Sequence, residues 1–167
     1  MNGRIVQISV SRGGVPKTAV PAARVTQDGL EGDAQRDREH HGGPERAVCL
    51  YSLEAIQKLR TEGHSIVPGS IGENVTVAGL DWSAVELGDH LLLGDTVLLQ
   101  VTRYTSPCLN IRGSFKDGEF ARVSQKRHPG WSRVYARVLV AGTIRRDDPV
   151  RPLDESRAAE LTAAAAR

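Results

Sequence analysis

Cysteine is scarce in this chain of 167 residues: there are two, Cys49 and Cys108. Neither belongs to a CxxC pair, so a disulfide framework is excluded and free thiols in a reducing cytoplasm are expected. Paired ligand spacing for a zinc module is missing too, even with His40 and His41 added to the cysteines. No apolar run approaches the roughly 20 residues needed to span a bilayer. The opening MNGRIVQISVSRGG has no continuous apolar stretch and no cleavage site, and no signal peptide is expected. An excess of charge is also missing: 22 Lys and Arg against 20 Asp and Glu leave a net charge of +2. That balance gives no support for bulk binding to nucleic acid or membrane. No GKS or GKT follows a glycine loop, and neither GxSxG nor HExxH occurs. The Walker A, serine-hydrolase and zincin readings fall away.

What is present is a succession of short β-patterned runs punctuated by glycine. Ile5, Val6, Ile8 and Val10 mark a first strand, closed by Gly13-Gly14, and Val20 to Val25 a weaker one. Ala47 to Leu50 is a short apolar strand. Ser52 then has the character of an N-cap, with Leu53, Ile56 and Leu59 on one helical face and Gly63 ending the helix. From Val75 onward VTVAGL, HLLLGDTVLLQVT and VYARVLVAGTI are rich in Val, Leu and Ile, with turns at Gly88-Asp89 and Gly94-Asp95. Many short strands with tight turns predict a mostly β fold, a barrel-like closed sheet with a few peripheral helices. Residues 1–152 read as one domain. Residues 153–167 read as a tail, helical or frayed, whose alanines offer little to bury.

Three stretches carry chemistry. In TRYTSPCLN, Pro107 fixes its own φ and biases Ser106 away from helix, which sets Cys108 at a strand-to-loop corner. Arg103 and Arg112 stand close by in sequence and favour a thiolate if they converge on it. In His40-His41-Gly42-Gly43 the glycines permit close approach of a ligand to backbone N–H groups, and Arg46 follows with a charge suited to phosphate. In Pro68-Gly-Ser-Ile-Gly-Glu-Asn74, Asn74 offers an amide donor and acceptor to a heterocycle or phosphate. Trp131, after Pro129-Gly130, suits either a lid over a flat ligand or the core. The residues alone leave the bland alternatives open: an inert thiol, and glycine loops that are simply turns. Cys49, within AVCLY, reads as the inert kind.

Taken in order, HHGGPERAVCLYS, PGSIGENVTVAGLD, ELGDHLLLGDTVLLQVTRYTSPC and HPGWSRVYARVLVAGTIRRDD resemble the MOSC domain family. The likeness runs from about Arg4 to about Pro152 and is strongest to small stand-alone bacterial members of the YiiM type. It implies a barrel-based fold and a molybdopterin-type cofactor. It also implies that Cys108 is the molybdenum ligand and that the chain reduces N-hydroxylated small molecules such as N-hydroxylated bases. By the same likeness Gly42, Gly43, Arg46, Asn74, Thr102 and Arg103 are expected to contact the cofactor. His41 is the candidate proton donor, its ordinary pKa lying near 6.5. No ferredoxin or flavin module is recognisable, so separate electron-transfer partners are expected. The alternatives are a sulfur carrier holding a persulfide on Cys108, served by a sulfur-donating desulfurase, and a cofactor-free binding domain.

Overall fold

The structure is a computed structural model that describes residues 2–34 and 43–167. Eleven strands occur among these residues: β1 (Gly3–Val10), β2 (Thr18–Val20), β3 (Ala22–Thr26), β4 (Gly29–Leu30), β5 (Val48–Ser52), β6 (Val75–Ala78), β7 (His90–Leu93), β8 (Val97–Tyr104), β9 (Val134–Val140), β10 (Gly142–Arg145) and β11 (Pro149–Leu153). Seven of them close into a ring in the order β11-β7-β8-β9-β5-β6-β1, with β1 returning to β11 through Gly3 opposite Val150 and Arg4 opposite Pro149. Closure removes the unpaired edges that an open sheet would expose. β2 extends the sheet at β1, and β10, β3 and β4 form a small separate sheet.

All ring contacts are antiparallel except β5 with β6. A parallel pair needs a crossover, and helix α1 (Leu53–Thr61) forms part of it. The Ser52 side chain accepts the Ala55 amide at 3.1 Å, and Ala55, Ile56 and Leu59 form the buried face. The helix stops at Gly63, whose φ of 101° a side chain would resist.

Inside the ring, alternation delivers Val134, Ala136 and Val138 of β9 and Leu99 and Val101 of β8 to one apolar core. In β1 the alternation breaks: Ile5 and Ile8 are both buried because the register against β6 shifts between Ile5 and Gln7.

Most of the tail is helical. Helix α2 (Glu155–Ala165) is capped by Asp154, whose carboxylate accepts the Arg157 amide at 2.7 Å. Ala158 and Leu161 pack on Leu92 and Leu98 outside the barrel. The small alanine is what lets the helix approach the sheet closely, so the residue type read as offering little to bury is the one that docks. Between β8 and β9 the chain makes three 3₁₀ segments, at residues 109–114, 116–118 and 120–123. This excursion is pinned by Phe115 edge-on to His64, with ring centroids 5.2 Å apart, and by Arg122 stacked 4.0 Å over Trp131.

Candidate functional site

The site lies on the outer wall of β8 and β9, where the excursion begins. The Thr105 amide donates to the Arg133 carbonyl at 3.1 Å as the last rung between the strands. Ser106 and Pro107 break the pairing, and Cys108 follows with extended backbone (φ −137°, ψ 173°). Its carbonyl accepts the Ile111 amide at 3.1 Å, while its side chain makes no capping bond to the 3₁₀ turn that follows. The Cys108 thiol is therefore half-buried at a fixed corner. Cys49 is its opposite. Only 3 % of that residue is exposed, and burial pushes its thiol up to about 11.

Opposite this corner, Gly43 enters a single 3₁₀ turn, Pro44–Arg46, with φ of 95°. A turn that begins Gly-Pro suits this geometry, because glycine accepts the positive φ and proline needs no amide hydrogen bond. The register of β8 against β9 shifts between Val101 and Arg103, so Thr102 is the extra residue of a bulge. Its hydroxyl lies within hydrogen-bond reach of the carbonyls of both Glu45 and Tyr135. The Glu45 carboxylate accepts from Arg103 Nη2 and from Arg137 Nη2, each at 2.8 Å.

Tyr135 and Arg137 share the face of β9 that alternation turns away from the core. Burial raises the Tyr135 phenol far above its ordinary range. Cys49, Arg133, Arg46 and Cys108 all lie near enough to act on it electrostatically. Cys108, Arg46, Thr102 and Arg103 are thus gathered around Tyr135 and Glu45. Gly43 belongs to the same turn. His41 and Gly42 lie outside the described residues.

Asn74 is elsewhere, with its side chain engaged inside the fold. The residue is 0 % exposed, with Oδ1 accepting the Cys49 amide at 3.0 Å. Its Nδ2 donates to the Ser9 carbonyl at 3.2 Å and to Asp33 Oδ2 at 2.9 Å. Asp33 in turn holds Lys17 in a buried ion pair at 2.7 Å. The amide of Asn74 is committed to the fold, tying β1, β5 and the first loops together. The glycine loop before it is likewise built in: the Lys17 amide donates to the Gly69 carbonyl at 2.9 Å.

The same loop contributes a residue that the sequence reading passed over. Glu73 is fully buried, and neither carboxylate oxygen has a hydrogen-bond partner in good geometry among the described residues. Desolvation pushes its pKa up to about 7, against the opposing pull of Arg133 and of backbone amides at Glu73, Gly69 and Ile71. Glu45, Tyr135 and Arg137 were also passed over. The pattern V-Y-A-R-V held the signal for the last two, since its polar members alternate strictly with its apolar ones.

The MOSC domain family model matches residues 37–151, more than half of the chain and spanning every residue of the site. The chain belongs to the MOSC domain family. Among relatives, it is 33 % identical over 131 residues to protein YiiM of Escherichia coli, an alignment covering 75 % of this MOSC chain and 57 % of that protein. It is 32 % identical over 119 residues to a protein of Gibberella moniliformis named a reductase, covering 68 % of this chain and 21 % of that one. The crystal structure of YiiM from Geobacillus stearothermophilus superposes with a TM-score of 0.69 at 26 % identity, covering 91 % of this chain and 75 % of that one. The chain thus spans less than two thirds of the length of its Escherichia coli relative.

Proposed function

We propose that this MOSC domain holds a molybdopterin-type cofactor through Cys108 and reduces N-hydroxylated small molecules. The observation that carries the reading is the half-buried Cys108 at a strand-to-loop corner, with Cys108 and Arg46 both in electrostatic reach of Tyr135. The donor set fits such a group. A thiolate is a soft ligand suited to molybdenum, and arginines suit its phosphate. When bound, the group supplies a metal that exchanges two electrons and accepts oxygen.

The residues of the chain have the remaining tasks. Cys108 provides the anchoring thiolate. Arg46 and Arg103 provide positive charge toward the phosphate. The wall formed by Tyr135 orients the ligand and limits water on one side. His41, on sequence grounds, is the proposed source of a proton. The overall conversion takes R–NHOH, two electrons and two protons to R–NH₂ and water, so the electrons require a separate donor protein. That a relative of this chain is named a reductase agrees with the direction of the chemistry.

A partly exposed thiol also suits a persulfide carrier, in which a desulfurase partner loads sulfur onto Cys108. One assay separates the two. Protein from a molybdopterin-competent host, given a chemical reductant, is expected to convert 6-hydroxylaminopurine to adenine, and Cys108→Ser to lose that conversion with its fold intact. Cyanide-releasable sulfur on Cys108 without any conversion would replace the reductase reading with the carrier.

A further inference from the structure

We propose that Arg103 and Arg137 form a clamp for a phosphate monoester, and that Glu45 fills it as an internal stand-in which the ligand displaces. The inference rests on the anionic-ligand reading above and adds a further guanidinium, that of Arg137, and an internal competitor. Two guanidinium groups from adjacent strands converge on one carboxylate, each at 2.8 Å. Held that close, they repel each other unless an anion lies between them.

Three features mark Glu45 as replaceable. All three side chains are about half exposed, with 51 % of Glu45, 46 % of Arg103 and 43 % of Arg137 open to solvent. Exposed ion pairs of this kind hold weakly and exchange with ions in solution. The backbone of the turn is held by other bonds, from the Thr102 hydroxyl to the Glu45 carbonyl and from the Arg46 amide to the Gly43 carbonyl at 3.0 Å. The carboxylate can therefore swing out while the turn stays. The turn is also uncrowded at its start: a Cβ added at Gly43 would meet no atom of the described residues within 4 Å.

A third donor points to the class of ligand. Arg137 Nε is buried and has no hydrogen-bond partner among the described residues. Glu45 meets Arg137 through Nη2 alone and, as placed, leaves that donor unmet. A phosphate monoester presents three terminal oxygens and a larger charge, enough to meet both Nη2 groups and Nε together. The phosphate belongs either to the cofactor or to a phosphorylated substrate.

The test titrates the cofactor-free full chain with inorganic phosphate at constant ionic strength, followed calorimetrically, with melting curves confirming that each variant is folded. Glu45→Gln is expected to bind phosphate about five- to tenfold more tightly than wild type, because the internal competitor is gone. Adding Arg137→Ala is expected to abolish that gain. Glu62→Gln, which removes the same charge from the exposed ion pair with Arg122, is expected to change nothing. If Glu45→Gln binds no more tightly, or Glu62→Gln gains equally, the clamp is overturned. Repeating the titration on cofactor-loaded protein assigns the clamp: blocked binding identifies the cofactor phosphate, and retained binding a substrate phosphate. Molybdenum content is measured independently. Phosphate binding as expected in a chain that never holds molybdenum keeps the clamp and removes the cofactor reading, while the converse removes only the clamp.

Discussion

Thr102 and Glu45, 57 residues apart in the chain, are joined by a hydrogen bond from the Thr102 hydroxyl to the Glu45 carbonyl. The bond exists because Thr102 is the unpaired residue of a bulge, free to turn its side chain to a neighbouring loop rather than to a strand partner. It fixes the turn that carries Arg46 against the strand that leads to Cys108. Thr102→Val keeps the shape and removes the bond. It is expected to cost about 1 kcal/mol of stability and to speed hydrogen exchange at the Arg46 amide. Unchanged exchange there would mean that other contacts hold the turn.

The two cysteines are expected to separate cleanly. Cys49 is sealed in the sheet with its thiol pushed up to about 11, whereas Cys108 stands partly open. At pH 8, iodoacetamide should label Cys108 in the native protein and reach Cys49 only after unfolding. Peptide mass mapping reads both sites. Native labelling of Cys49 would contradict the packing of β5 against its neighbours. Cys49→Ser is expected to cost on the order of 1 kcal/mol or somewhat more, through burial of an unpaired hydroxyl.

Glu73 makes stability depend on pH in an unusual sense. Its ordinary pKa of 4.5 rises to about 7 in the fold. The native state therefore binds this proton more tightly than the unfolded chain does. The group is without cost below about pH 4.5, lowers stability progressively between pH 4.5 and 7, and has its full cost above pH 7. Glu73→Gln is expected to remove that slope and to stabilise the protein at pH 8 by up to about 3 kcal/mol. Denaturant unfolding of both proteins at pH 5 and pH 8 measures it. A larger gain at pH 5 than at pH 8 would reverse the argument.

Asn74 tests the difference between a ligand contact and a structural tie. Asn74→Leu leaves the Cys49 amide, the Ser9 carbonyl and one Asp33 oxygen short of a partner. The expected loss is about 3 kcal/mol or more, seen as a large fall in melting temperature. A variant that melted normally yet retained less cofactor would restore Asn74 to the site.

Much of the barrel was legible because strand periodicity is a local property. The runs ending in Val10, Ala78, Tyr104 and Val140 carry their Val-, Ile- and Leu-rich strand character openly, and Ser52 and Gly63 bracket the helix by backbone chemistry. The docking of Ala158 was not legible, since an alanine shows its value only when the opposing surface is known. The strand-to-loop corner at Cys108 was marked by its neighbours Pro107 and Ser106. Glu45 was not, because nothing local distinguishes a carboxylate at the surface from one held by two arginines, 58 and 92 residues further along the chain. The bonds of Asn74 were hidden for the mirror-image reason: a polar amide in a glycine loop looks available until the strands that use it are in place.

The central claim is that Cys108 anchors a molybdenum–pterin cofactor. Its most direct test is elemental and pterin analysis of freshly prepared wild-type and Cys108→Ser protein from a molybdopterin-competent host. The account predicts about one molybdenum and one pterin per wild-type chain, and loss of the metal from Cys108→Ser with an unchanged melting curve. Wild-type protein without molybdenum, or equal molybdenum in both proteins, would contradict it.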